Sequence, residues 1–104
     1  MTLSDITRAV ARERNVSYFA VMSATRKRKT THARQEAMWL ARKLTGASYP
    51  TIGRHFRRHH TTVISAVEAV EARMGERSYR TDMETMLTAL RQPVPVFRST
   101  RKAA

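Results

Sequence analysis

Residues 55–66 read HFRRHHTTVISA, placing three histidines and two arginines ahead of a threonine pair and an apolar run. Imidazoles ligate metals, guanidiniums bind phosphate, and threonine hydroxyls either cap a helix or read a base edge. His55 and His59 are four residues apart, a ligand spacing if one helix carries both. A turn is expected between them, however, and no nearby carboxylate or cysteine completes a set with His60. Arg54, Arg57 and Arg58 also set up a positive potential that repels a cation. No metal is expected here, and no cofactor.

Hydrolytic chemistry finds no better support. Serines, histidines and acids are present, but without a strand-borne nucleophile elbow or a paired-carboxylate arrangement. The three glycines, Gly46, Gly53 and Gly75, lie too far apart to form a phosphate loop. The expectation is a binding protein and not an enzyme.

Composition names the class of partner. The 104 residues carry 20 Lys and Arg against 8 Asp and Glu, a formal charge of +12. Such an excess favours a polyanion, nucleic acid before anionic membrane. No apolar run approaches the roughly 18 residues that span a bilayer. The N-terminal MTLSDITRAVARERN lacks the apolar centre of a signal peptide, so a cytoplasmic, nucleoid-associated location is expected. The absence of cysteine removes disulfides and Cys-based zinc sites. The length fits one domain with a core of its own.

The elements that would position the cluster are helical throughout, so the fold class is all-α, a helical bundle. Thr2 or Ser4 caps a first helix, with Asp5 near its dipole and Ile6, Ala9 and Val10 inward, ending near Asn15. VSYFAVM reads as one short turn that plugs Phe19 and Val21 into the core. SATRKRKTT has no apolar periodicity and reads as a loop. Residues 31–45 form a strong helix with Ala37, Leu40, Ala41 and Leu44 on one stripe, stopped by Gly46. Trp39 lies off that stripe and is expected to pack against the first helix, with base stacking the lesser alternative.

Ser48 caps the next helix, Pro50 sits in its first turn, and Ile52 and Phe56 share its buried side. RRHH connects it to a helix over 61–74 with Val63, Ala66, Val67 and Val70 inward, closed by Gly75. Two helices joined by so tight a turn make a helix-turn-helix. Gly53 lies inside the first of them, where close approach of the second explains it. SYRTDMETMLTALRQ gives a last helix with Met83, Met86, Leu87 and Leu90 on one side. Residues 1–91 are thus read as one DNA-binding domain and 92–104 as a flexible basic tail.

In a helix-turn-helix, the N-terminal end of the second helix enters the major groove. Thr61, Thr62 and Ser65 fall outside the inward stripe at that end, while Glu68 and Glu71 further along would be repelled by phosphate. Threonine suits base reading because its hydroxyl donates or accepts and its methyl meets the thymine methyl; capping alone is the plainer alternative for Thr61. Arg26, Lys27, Arg28 and Lys29 form a basic run that is a solvated loop, a targeting signal, or an arm for an adjacent minor groove.

ARQEAMWLARKLTGASYPTIGRHF followed by RHHTTVISA resembles the C-terminal DNA-binding domain of the bacterial replication initiator DnaA. The shared elements are Arg34, Gln35, Ala37 and Met38; Ile52, Gly53 and Phe56; and Arg58, His60, Thr61, Thr62 and Val63. The similarity covers roughly residues 5–75. It implies a helical bundle whose helix-turn-helix reads a box of the form TTATNCACA in double-stranded DNA. By position it implies that Arg26 enters the minor groove, and that Arg34, Gln35 and Arg42 lie at or near the DNA backbone. Ser48, Tyr49 and Pro50 would start the first helix of the reading unit, and Arg58, His60, Thr61 and Thr62 would lie at the major groove. Two departures stand out. His59 replaces an aspartate that reads a base in the family, and Arg57 alone fills a segment where two glycines are usual.

The family's full-length members also carry an ATPase module and an N-terminal interaction domain, which 104 residues cannot hold. Met1 and the complete first helix lead us to expect a stand-alone relative. The leading expectation is a monomeric reader of DnaA-box-like sites that regulates replication initiation or transcription. A basic nucleoid protein without sequence preference is the second reading. An adaptor for a replication-initiation protein, docking through the last helix or Val94 to Phe97, is the third. On the first reading Arg58→Ala should weaken binding to every duplex.

Overall fold

The computed structural model describes residues 1–91. Six helices follow in order, α1 (Leu3–Arg14), α2 (Tyr18–Met22), α3 (Arg28–Thr45), α4 (Tyr49–Phe56), α5 (His60–Arg73) and α6 (Arg77–Arg91), with no strand among the described residues. The all-α reading holds. The tail assigned to 92–104 lies outside the described residues.

α3 is the axis of the bundle and packs against each of the other five helices. That is why its buried face is far wider than one stripe: Glu36 through Ala41 are buried without interruption. Trp39 is therefore a core residue, 3 % exposed, and its ring is not available for base stacking. Ile6, Val10, Val21, Ile52, Phe56, Val63, Val70 and Met83 complete the centre from the surrounding helices. Leu87 and Leu90 pack only partly against it.

Local sequence fixes the ends. Thr2 and Asp5 form a reciprocal capping box on α1, the threonine hydroxyl accepting from the Asp5 N–H and the carboxylate from the Thr2 N–H, both at 3.0 Å. Ser48 accepts from the Thr51 N–H to cap α4, with Pro50 in the first turn. Gly46 ends α3 at φ 68°, as a glycine stop should. α5 ends differently: its cap, Met74, stays right-handed, and Gly75 has no positive φ.

Two expectations are corrected. Phe19 is 82 % exposed, because on a five-residue helix Val21 takes the inward position and a residue two places away points to the far side. α3 begins at Arg28, not at Thr31. Thr30 and Ala33, both buried and three apart, draw the preceding turn into the helix. Arg28 and Lys29 thereby sit in the first turn, where the helix dipole disfavours cations by about 0.3–1 kcal/mol each.

Polar staples tie the outer helices to α3. The Arg14 guanidinium on α1 donates to Glu36 at 2.7 Å and to Asp82 on α6 at 2.6 Å. The Tyr79 hydroxyl donates to the other Glu36 oxygen at 2.8 Å. Burial and that hydrogen bond push the Tyr79 phenol up to about 12, so it stays a donor.

The reading unit is held by one close approach. A Cβ on Gly53 would lie 2.5 Å from the Arg58 carbonyl oxygen, and the Arg58 N–H donates to the Gly53 carbonyl at 2.8 Å. Between them Arg57 takes the left-handed conformation at φ 58°, a conformation costly for a side chain with a Cβ. Opposite outcomes are expected from exchanging residue sizes here. Gly53→Ala should destabilise by about 2–3 kcal/mol, since backbone must move. Arg57→Gly should stabilise by about 0.5–1 kcal/mol. Urea unfolding of both variants measures the pair.

Candidate nucleic-acid interface

α5 presents its polar residues where its core residues are not. Val63, Ala66, Val67 and Val70 are buried, whereas His60, Thr61, Thr62 and Ser65 are exposed. The helix begins at His60, and His59 is its cap: the ring Nδ1 accepts from the Thr61 N–H at 3.3 Å and lies 2.9 Å from the Thr61 hydroxyl. His59 and His60 stack with centroids 4.3 Å apart. The first turn holds no acid, so four small or planar polar side chains project from a positive helix end.

The three histidines of the cluster go to separate tasks. His55 faces the bundle, its Nε2 3.2 Å from the hydroxyl of Thr7 on α1. Thr7 donates its own hydrogen to the Leu3 carbonyl at 2.8 Å, so His55 is the donor to it. His55 and His59 thus share no helix face. Among the described residues no group of three potential ligands is drawn together.

Next to the turn lies the 23–27 connection, which carries Arg26 and Lys27 exposed and leads into exposed Arg28. Arg34, 6 % exposed, fixes it from below. Its guanidinium donates to the carbonyls of Val21 at 2.7 Å, Ser23 at 2.8 Å, and Ala20 and Thr25 at 3.3 Å. Arg58 reaches the same Ser23 oxygen from the turn at 2.8 Å and also donates to the Phe56 carbonyl at 3.1 Å. Burial and the Arg58 charge pull the Arg34 guanidinium below its ordinary range. Neither cation has a carboxylate beside it, for the one acid between Asn15 and Val67 is Glu36, already shared by Arg14 and Tyr79.

These contacts sort the residues expected to touch DNA. Arg26, Lys27, Arg28, Ser48, Pro50, Arg57, His59, His60, Thr61, Thr62 and Ser65 are exposed. Four others are engaged by the protein itself. Arg34 and Arg58 hold the arm. Gln35 accepts from Arg73 on α5 at 3.0 Å. Arg42 donates to the Ala47 carbonyl at 2.7 Å and lies 4.5 Å over the half-buried Tyr49 ring, fixing the α3–α4 connection. Their first role is therefore to position. Arg54, used in the sequence only as an argument against a metal, is exposed on the last turn of α4 and held by Thr51 at 3.2 Å. Its spacing of three and four from Arg57 and Arg58 was the available signal. Lys29 faces elsewhere, lining a small surface hollow with Arg14, His32 and Glu36.

Two measurements follow from this geometry. Arg34→Ala leaves the Val21 and Thr25 carbonyls without their side-chain donor and the Ser23 carbonyl with Arg58 alone, and should lower stability by about 1–3 kcal/mol and duplex affinity together. Lys27→Ala should lower affinity alone; thermal melts and binding curves on both variants separate the roles. The second concerns acid. Burial holds the His55 imidazole below its ordinary 6.5, and burial with the Arg73 charge does the same for His32. The unfolded chain then binds protons more readily, so stability is fully present above about pH 6.5 and is lost as pH falls through the unfolded and then the folded values. Urea midpoints at pH 7.5 and 5.5 should differ in that direction, and His55→Gln should reduce the difference.

The bacterial DnaA helix-turn-helix family matches residues 3–70. The chromosomal replication initiator protein DnaA of Caulobacter vibrioides is 42 % identical over 93 residues, covering 88 % of this chain and 19 % of that protein. The DnaA of a Bradyrhizobium strain is 47 % identical over 75 residues, covering 71 % of this chain and 16 % of that one. A crystal structure of a DNA replication initiation factor superposes with a TM-score of 0.77 at 34 % identity, covering 83 % of this chain and 27 % of the other. The chain spans about a fifth of the length of the curated relatives it matches. It belongs to the DnaA helix-turn-helix family, and its helix-turn-helix is a DNA-binding one.

Proposed function

We propose that this protein reads double-stranded DNA at DnaA-box-like sites and regulates replication initiation or transcription by occupying them. The observation that carries the reading is the N-terminal end of α5, where exposed His60, Thr61, Thr62 and Ser65 stand opposite a fully inward valine stripe. In this family's geometry such an end lies in the major groove while a basic arm follows the adjacent minor groove. The arm here is joined to the turn through Ser23 and Arg58, so the two grooves would be engaged by one rigid unit. The role is binding and not catalysis, one box is read by one monomer, and a replication-initiation protein is the partner class that competition for boxes implies.

The formal charge of +12 favours a second reading, attachment to any duplex through counterion release. Fluorescence anisotropy on a TTATCCACA duplex and a scrambled one, across a salt series, separates the two. A box preference on the order of a thousandfold that survives raised salt is expected. Equal affinities that collapse together with salt would leave only phosphate attraction. Thr62→Ala should reduce the box preference by about 1–3 kcal/mol while leaving the scrambled duplex unaffected.

A further inference from the structure

We infer that His59 makes this protein reject cytosine and select a base whose major-groove edge accepts a hydrogen bond, guanine, adenine or thymine, at the position an acidic cap would read as cytosine. The inference rests on the box-reading function proposed above and deepens it.

A backbone N–H can only donate, and the Thr61 N–H is directed at His59 Nδ1. Nδ1 is therefore the acceptor, and the single proton of the ring resides on Nε2. The Thr61 hydroxyl, 2.9 Å from the same nitrogen, must donate to it or turn away; it cannot receive a proton from it. The ring is further held by its stack on His60. Nε2 lies on the opposite edge of an exposed side chain, with no hydrogen-bond partner among the described residues. Helix formation at α5 thus sets the tautomer, and the tautomer leaves one N–H donor facing outward from the reading end.

An Asp cap performs the same local task with one carboxylate oxygen and leaves a second oxygen, an acceptor, facing outward. In the major groove an acceptor matches the N4 amino group of cytosine, whereas a donor matches O6 and N7 of guanine, N7 of adenine or O4 of thymine. Thymine O4 occupies the place of cytosine N4, so a reader with its proton on Nε2 meets an acceptor where the amino group would be a second donor. Cytosine is the base this cap excludes.

Selection of bound sites from a randomised duplex library tests this with the full chain, its His59→Asp variant and its His59→Asn variant. Aspartate and asparagine are both strong helix caps, so all three proteins fold. The wild type should enrich guanine, adenine or thymine at one position, and His59→Asp should convert that position to cytosine with the rest of the site unchanged. His59→Asn, which caps through its oxygen and turns its amide N–H outward, should keep the wild-type base. Anisotropy on duplexes differing only there should show roughly tenfold discrimination in each direction. Cytosine in the wild-type site, or one base shared by wild type and His59→Asp, would overturn the inference while leaving box reading intact. Failure of the wild type to enrich any site would remove both.

Discussion

The carbonyl oxygen of Ser23 is where this molecule's parts become one reading head. Arg34 approaches it from the central helix and Arg58 from the turn, each at 2.8 Å. Two cations around one neutral acceptor is an unfavourable arrangement taken alone, and no acid relieves it. It persists because the buried Arg34 gains three further carbonyls and the bundle holds both side chains in place. In exchange, a connection of five residues that would otherwise wander is fixed relative to the recognition helix. The close approach at Gly53 has the same logic one step further along, seating α5 against α4 through backbone rather than side chains.

Much of this was legible in the chain. The glycine stop at Gly46, the Ser48–Pro50 start and the inward valines of α5 are local signals, and local signals decide those places. The DnaA resemblance added what periodicity cannot, the form of the box that the helix-turn-helix is expected to read. Failures came where tertiary context overrules local pattern. Arg28 and Lys29 look like loop because charge obscures that Thr30 and Ala33 must be buried. Phe19 looks like core because size suggests it, yet a helix of five residues has only one inward place. Arg34, Gln35 and Arg42 carry family signature positions, but sequence cannot say whether an arginine faces a phosphate or a carbonyl. Only the hydrogen bonds distinguish a contact from its support.

On the reading inferred for His59, a single residue would serve folding and recognition through opposite edges of one ring. The inner nitrogen satisfies a helix end, and in doing so determines what the outer nitrogen offers. Capping and reading are usually discussed as alternatives for a residue at this position. Under the inference drawn for His59 the first would fix the chemistry of the second, so substitutions at the cap would alter what is read even when the helix is equally well formed.

The distribution of charge along the fold has a kinetic consequence. Between Asn15 and Val67 ten Lys and Arg stand against a single acid, while from Glu68 to Arg91 five acids nearly balance four arginines. The excess positive charge of the domain is therefore concentrated in the stretch that holds the arm and the turn, with a nearly neutral end beyond it. In the field of a duplex such a body turns before it touches, so collisions arrive with the reading end already forward. When it slides or hops between sites, the same asymmetry would keep the nearly neutral end away from the phosphates, and the search would be made by a molecule that seldom has to turn around.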